Sequence, residues 1–274
     1  MKHFAIILII ILCSALTQHN YAIGADGVTA TEKPGDFEKL RNSYKEPEYK
    51  NIMDLYWKTS QLDINNTDHL DLYLILKECE ISKQYFKNDF EWHKIREAVK
   101  SHLEASRENL NNRFYVIQPL KLSSYSFERG GFDILPEYQY ADLKRFRISN
   151  NRVDPKDFCV SDKSYNEPIN VFAPYNLSVN LRDGFTMTYV PMSEDVSKAY
   201  LNFLDNKKTV KIAGQEMVRD AFVVFYLTLD SFLQNEMDYQ APGVNLKEYK
   251  AKLDFIEVYA DQELRRPLYY RRVN

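Results

Sequence analysis

Glycine is scarce in this chain, eight in 274 residues, where average usage is roughly 7%. Loops that cradle phosphates and strained nucleophile elbows use glycine to bring backbone close to a ligand, so the shortage argues against nucleotide enzymes. No H-E-x-x-H, no C-x-x-C, no G-x-S-x-G and no S-x-x-K with its companions occurs. The signatures of zincins, zinc ribbons and serine hydrolases are missing with them. Cysteine is nearly as rare, at three. The apolar run Phe4–Leu16 covers about 13 residues, well short of the roughly 20 that a spanning helix requires. Neither charge sign dominates: 36 Lys and Arg stand against 39 Asp and Glu. That balance leaves no basic footprint for a nucleic acid, and no internal repeat is visible.

The first residues have the order of a secretory leader. Met1, Lys2 and His3 make a positively charged start. The apolar run follows, broken only by Ser14, then the polar Thr17–Asn20 and the small residues Ala22, Gly24 and Ala25. Ala22-Ile23-Gly24 satisfies the small-x-small rule, which places cleavage after Gly24; cleavage after Ala22 would put Asn20 at the −3 position. Cys13 follows Leu12, where a lipoprotein would carry a small residue, so it leaves with residues 1–24. A leader retained as an anchor is the alternative. Cleavage removes one base, Lys2, and no acid, moving the formal charge from −3 to −4. The expected location is the periplasm or the exterior, with no transmembrane anchor left. Cys79 and Cys159 are then the only cysteines, and in an oxidising compartment two cysteines pair. Their loop of roughly 80 residues is worth about 4–5 kcal/mol in the chain-entropy account. The alternative is two separate thiols, with Cys79 buried as a small apolar residue.

The mature chain suits one large domain or two small ones, and the pattern fits a single α+β domain over 47–274, helical over 47–111 and sheet over 112–274. Residues 25–46 are polar, with Pro34 and Gly35 inside and Pro47 at the border, and predict a flexible linker. Three helical patterns follow, at about 47–60, 67–86 and from the capping box Asn88-Asp89-Phe90-Glu91 onward. The second is apolar nearly all round, which marks a central helix. The third carries Trp92, Ile95, Val99, Leu103 and Leu110 on one stripe. Past Asn112 the period turns to alternation, favoured by 20 Tyr and 16 Phe. Strands are expected at Phe114–Gln118, Leu120–Phe127, Leu143–Ile148, Leu177–Leu181, Phe185–Val190, Thr209–Ile212, Ala221–Leu229, Lys252–Ala260 and Leu268–Val273. A Gly130-Gly131 turn and a helix capped by Ser193 fall between them. Residues 149–175 read as irregular, a length uncommon in a compact domain unless something ties it down; a bond from Cys159 to Cys79 would.

Two segments carry a resemblance. Asn88-Asp89-Phe90-Glu91-Trp92, continuing to Ile95-Arg96, resembles a family of exported bacterial proteins with no assigned function, and Tyr259-Ala260-Asp261-Gln262-Glu263-Leu264 is similar to a strand ending of that family. The likeness covers roughly residues 50–205. It implies a bacterial, exported protein and transfers no catalytic residue.

Candidate chemistry is thin. Only His69, His93 and His102 survive cleavage, and the nine-residue spacing of the last two sets them on opposite sides of one helix; His93 and Glu97 are one turn apart and read as a surface pair. Cysteine catalysis needs a thiolate beside a histidine, and neither Cys79 nor Cys159 has a signature for one. Ser82 and Ser193 have ordinary helix roles. Glu128 and Asp133, flanking the Arg129-Gly130-Gly131 turn, are the nearest thing to a glycosidase pair and read as a solvated hairpin tip. The C-terminal stretch interleaves Arg265, Arg266, Arg271 and Arg272 with Tyr269 and Tyr270. Arginine and tyrosine together are favoured at contact surfaces; a charge-guarded strand edge is the other reading. No catalytic, cofactor or metal residues are expected. The leading expectation is a non-enzymatic envelope protein whose partner is another envelope protein. A small-molecule or peptide-binding module and a hydrolase without a recognisable motif are the alternatives.

Overall fold

The computed structural model describes residues 34–59, 63–106, 111–149, 176–206, 218–237 and 245–273. Helices come first: α1 (Pro34–Arg41), α2 (Tyr49–Thr59), α3 (Thr67–Lys77), α4 (Cys79–Tyr85) and α5 (Asp89–Ser106). Eight strands follow, β1 (Arg113–Ser126), β2 (Gly131–Ile134), β3 (Tyr140–Ser149), β4 (Asn176–Met187), β5 (Tyr189–Pro191), β6 (Arg219–Met237), β7 (Asn245–Tyr259) and β8 (Pro267–Arg272), with α6 (Glu194–Asn206) inserted before β6. The class is α+β, as the switch of period at Asn112 implies. Among the described residues no helix is long and apolar enough to cross a membrane.

The sheet runs β3-β4-β7-β6-β1-β2-β5, and β8 pairs with β7. Every pairing is antiparallel except β4 with β7. Phe225 of β6 shows how strongly this sheet bends. Its ring centroid lies 5.2 Å from Tyr140 and 5.7 Å from Phe146, both on β3, and 5.6 Å from Phe185 on β4. β3 is three strands from β6, which in a flat sheet means roughly 14 Å. The rings meet because the sheet curls into a half-barrel around them. The inner face holds the main core, closed by Ile52 and Leu55 of α2 and by Tyr200 of α6. The Tyr200 hydroxyl donates to the Asp220 carbonyl at 2.6 Å.

The other helices form a satellite. Met53, Tyr56 and Trp57, on the second face of α2, pack with Leu70, Tyr73 and Leu76 of α3 and Leu103 of α5. Asn66 caps α3 by accepting from the Asp68 and His69 amides, and Asn88 caps α5 by accepting from the Glu91 amide at 3.3 Å. Asp71 fixes the two helices together, accepting from the Trp92 indole at 2.8 Å and from Arg96. The central helix expected over 67–86 is instead two helices, broken where Glu78 leaves the helical region (φ −115°, ψ 60°). Beyond the break Ile81 and Phe86 meet solvent; the all-round apolar pattern of that segment exceeds the surface available to cover it.

Three further expectations change. Part of the segment expected as a flexible linker, residues 34–46, carries α1 and lies on the sheet with Tyr44 buried. Pro119 does not divide two strands: β1 runs through it, and by alternation from Lys45, which bonds Arg113 and Tyr115, its nitrogen faces the edge away from β6. β7 does not close the sheet but stands inside it, flanked by β6 on one side and by β4 and β8 on the other. The strand at Thr209–Ile212, the irregular stretch 150–175 and the leader at 1–24 lie outside the described residues.

Replacing Phe225 by alanine removes the ring on which three strands converge, and is expected to cost about 3–5 kcal/mol in urea denaturation; a loss below about 1 kcal/mol would contradict the closure around it. Cys79 opens α4, half-buried, and Cys159 lies outside the described residues. Non-reducing peptide mapping of the native protein is expected to recover Cys79 linked to Cys159. Two alkylatable thiols would overturn the pairing.

Candidate functional site

The residues singled out from sequence do not converge on one cleft. The His69 ring accepts from the Asp63 amide at 3.0 Å, ordering the entry to α3, while His93 and His102 are exposed on α5. Among the described residues no group of three or more His, Cys, Asp or Glu could hold a metal ion. Ser193 caps α6, its hydroxyl accepting from the Val196 amide at 3.5 Å. At the β1–β2 turn Asp133 is held by Arg129, whose guanidinium lies 4.1 Å from the centre of the Tyr189 ring. Glu128 is exposed beside Gly130, which turns the chain at φ +70°.

The C-terminal Arg and Tyr residues divide between the faces of the sheet. Arg271 and Tyr269 stand opposite Ile256 and Val258, on the core side. Arg271 lies over the Phe185 ring at 4.9 Å and donates to the Thr186 carbonyl at 3.1 Å. Arg266 covers the Phe203 ring at 4.3 Å and approaches Asp261 at 3.6 Å. Tyr270 and Arg272 stand opposite Glu257 and Phe255, on the outer face, and both are exposed, as is Arg265. Of the six residues expected from sequence as a contact surface, Arg265, Arg266, Tyr270 and Arg272 are exposed and Tyr269 and Arg271 are half-buried.

That face carries the polar chemistry of the molecule. Phe255, Glu257 and Tyr259 of β7 and Val224 and Tyr226 of β6 point outward, beneath Tyr44. Tyr226 stacks on Phe255 at 4.0 Å, and Tyr44 meets both edge-on at 5.2 and 5.3 Å. Glu257, 3% exposed, accepts the Tyr226 and Tyr259 hydroxyls at 2.7 Å each and the Arg41 guanidinium at 3.0 Å. Asp254 accepts the Tyr44 hydroxyl at 2.9 Å and the Thr228 hydroxyl at 2.6 Å. Burial first, and then the neighbouring carboxylate, pushes all three phenols above their ordinary range: Glu257 acts on Tyr226 and Tyr259, Asp254 on Tyr44. They stay protonated and serve as donors. A second carboxylate on β7, Glu248, is held by Arg145 at 2.9 Å, Asn180 at 2.5 Å and Gln234 at 2.8 Å. Sequence reasoning passed over Glu257, although its signal is there: in a strand, residues at i±2 share a face, and here they are Phe255 and Tyr259.

The family described as a domain of unknown function (DUF4852) matches residues 66–203. The chain belongs to that family. No curated protein and no solved structure matches it. The DUF4852 region spans α3 to α6 and includes the Asn88–Arg96 segment that carries the resemblance, whereas Tyr259–Leu264 lies beyond it. The outer-face cluster is built mainly from β6 and β7, which follow the DUF4852 region.

On the core-facing side of β7, Lys247 is fully buried, 4.7 Å from the centre of the Tyr56 ring, and burial pushes it down to about 8. Between about pH 8 and 10 the unfolded chain keeps that proton and the folded chain sheds it, so stability rises with pH. Above about pH 10 the sign reverses: Tyr56 and Tyr140 are pushed up to about 12 by burial, and the folded chain holds protons that the unfolded chain releases. Thermal melts across this range are expected to climb and then fall, and Lys247→Met should flatten the climb while leaving the fall. Equal slopes for both proteins between about pH 8 and 10 would refute this assignment.

Proposed function

We propose that this DUF4852 protein is an exported bacterial envelope protein, periplasmic or secreted after cleavage near Gly24, that binds another protein and performs no chemistry of its own. The leader-like order of residues 1–24 supports export. The observation that supports binding is exposure: Arg265, Tyr270 and Arg272 are exposed, and Tyr270 and Arg272 stand opposite Glu257 and Phe255, beside the Tyr226–Glu257–Tyr259 cluster. Exposed Tyr and Arg on a stiff strand form a contact surface at little entropic cost, and truncating such residues typically weakens a complex by ten-fold or more.

Photo-crosslinking in cells tests this reading. A photoreactive residue at Tyr270 or Arg272 is expected to give one discrete adduct with an envelope protein, and the same residue at Glu104, exposed on α5, none. Tyr270→Ala and Arg272→Ala should each weaken the isolated complex at least about ten-fold, with both variants folded by circular dichroism. No adduct at either position, or the same adduct from Glu104, would overturn the proposal.

A further inference from the structure

Residues 38–46 cross the outer face in the manner of a bound peptide. The Arg41 guanidinium reaches Glu257 at 3.0 Å, the Tyr44 hydroxyl reaches Asp254 at 2.9 Å, and Leu40 packs on the aromatic cluster. The main chain takes part as well. The Lys45 amide donates to the Arg113 carbonyl at 3.1 Å, and its carbonyl accepts from the Tyr115 amide at 3.0 Å. This is strand addition to the edge of β1, a recurrent mode of peptide recognition, restricted here to one residue.

Two features set this arrangement apart from ordinary packing. First, the floor is complete without the strap. Glu257 keeps the Tyr226 and Tyr259 hydroxyls, and Asp254 keeps the Thr228 hydroxyl and Lys252, 3.7 Å away. A buried carboxylate that loses its sole partner is strongly destabilised, and neither carboxylate faces that loss. Second, the edge is used only in part. By alternation the amide and carbonyl of Ile117 point the same way as those of Tyr115, and no strand pairs with them among the described residues. The donor row ends only at Pro119.

We propose that the outer face between β1 and β7 is a peptide-binding groove and that residues 38–46 are its tethered occupant. The partner segment that displaces them carries an arginine three residues before a tyrosine, brought to one side by a helix end and turn like that of residues 38–44, followed by a residue that pairs with the edge of β1. This proposal rests on the reading of the outer face as a protein-contact surface and names the chemistry of the segment received. A short tether holds its ligand at an effective concentration on the order of millimolar, so a free peptide at micromolar concentration is excluded until the strap is weakened.

The probe is a fluorescent peptide with the sequence of residues 37–48, titrated against the full-length mature protein and followed by anisotropy. The variant R41A/Y44A is expected to bind it at least ten-fold more tightly than the unmodified protein. Adding Glu257→Gln should reverse most of that gain, and a peptide with alanine at its own Arg41 position should bind at least ten-fold more weakly. Equal binding to both proteins, with the variant folded by circular dichroism, would overturn the proposal, as would a gain that Glu257→Gln leaves untouched. If the double variant does not fold, Arg41→Lys, which keeps the charge and loses the planar fork, carries the same comparison. Crosslinks from Tyr270 without peptide binding would sink the groove and leave the contact surface standing.

Discussion

Everything in this molecule is arranged around β7, which must be buried on both faces and along both edges. Its inward residues, among them Tyr249, Ala251, Ile256 and Val258, enter the core. Its outward residues include two carboxylates, Glu248 and Glu257, buried to 6% and 3% exposure. A carboxylate in the middle of a sheet is tolerated only when its lone pairs are filled. β6 and β7 itself supply tyrosine hydroxyls at one end, and β3, β4 and β6 supply an arginine with two side-chain amides at the other. Those demands decide which residues stand on β3, β4 and β6, while Arg41 and Tyr44 add further donors from outside the sheet.

The same demand explains the abundance of tyrosine. Phenylalanine would fill the outer face equally well, but it would take two donors from Glu257 and one from Asp254. Tyrosine provides an aromatic wall and a hydroxyl in one side chain. A phenol whose proton is shared with a carboxylate and whose surroundings exclude water is poorly placed to act as a nucleophile or a base. The hydroxyls of the polar cluster therefore serve as donors that hold the sheet together.

Much of the architecture was legible from the residues because it follows local periodicity. The change of period at Asn112, the caps at Asn88 and Ser193, the turn at Gly130 and the inner position of Ala221–Leu229 rest on short-range signals, and each has its counterpart in the structure. What escaped was set by distant partners. The segment 38–46 is polar by composition, and only its fit to β1 and β7 orders it. Glu257 is an ordinary exposed acid until Tyr226, 31 positions earlier, stands beside it. The C-terminal Arg and Tyr residues form one group in sequence, but alternation in β8 sends Tyr269 and Arg271 to one face and Tyr270 and Arg272 to the other.

The central place of β6 and β7 in the sheet has a consequence for how the chain is made. β1 to β5 all precede β6 and β7 in sequence, yet these two strands supply the partners that β1 and β4 need. A polypeptide emerging from its N-terminus therefore presents the flanks of its sheet before the centre exists. Until the β6–β7 hairpin arrives, β1 and β4 offer unpaired backbone to any neighbouring chain, which is the circumstance in which strands aggregate. The centre, once present, zips locally with itself; pairing β6 with β1 closes a longer loop than docking β4 against β7, since Arg113 meets Thr228 and Leu177 meets Lys247, and it comes late.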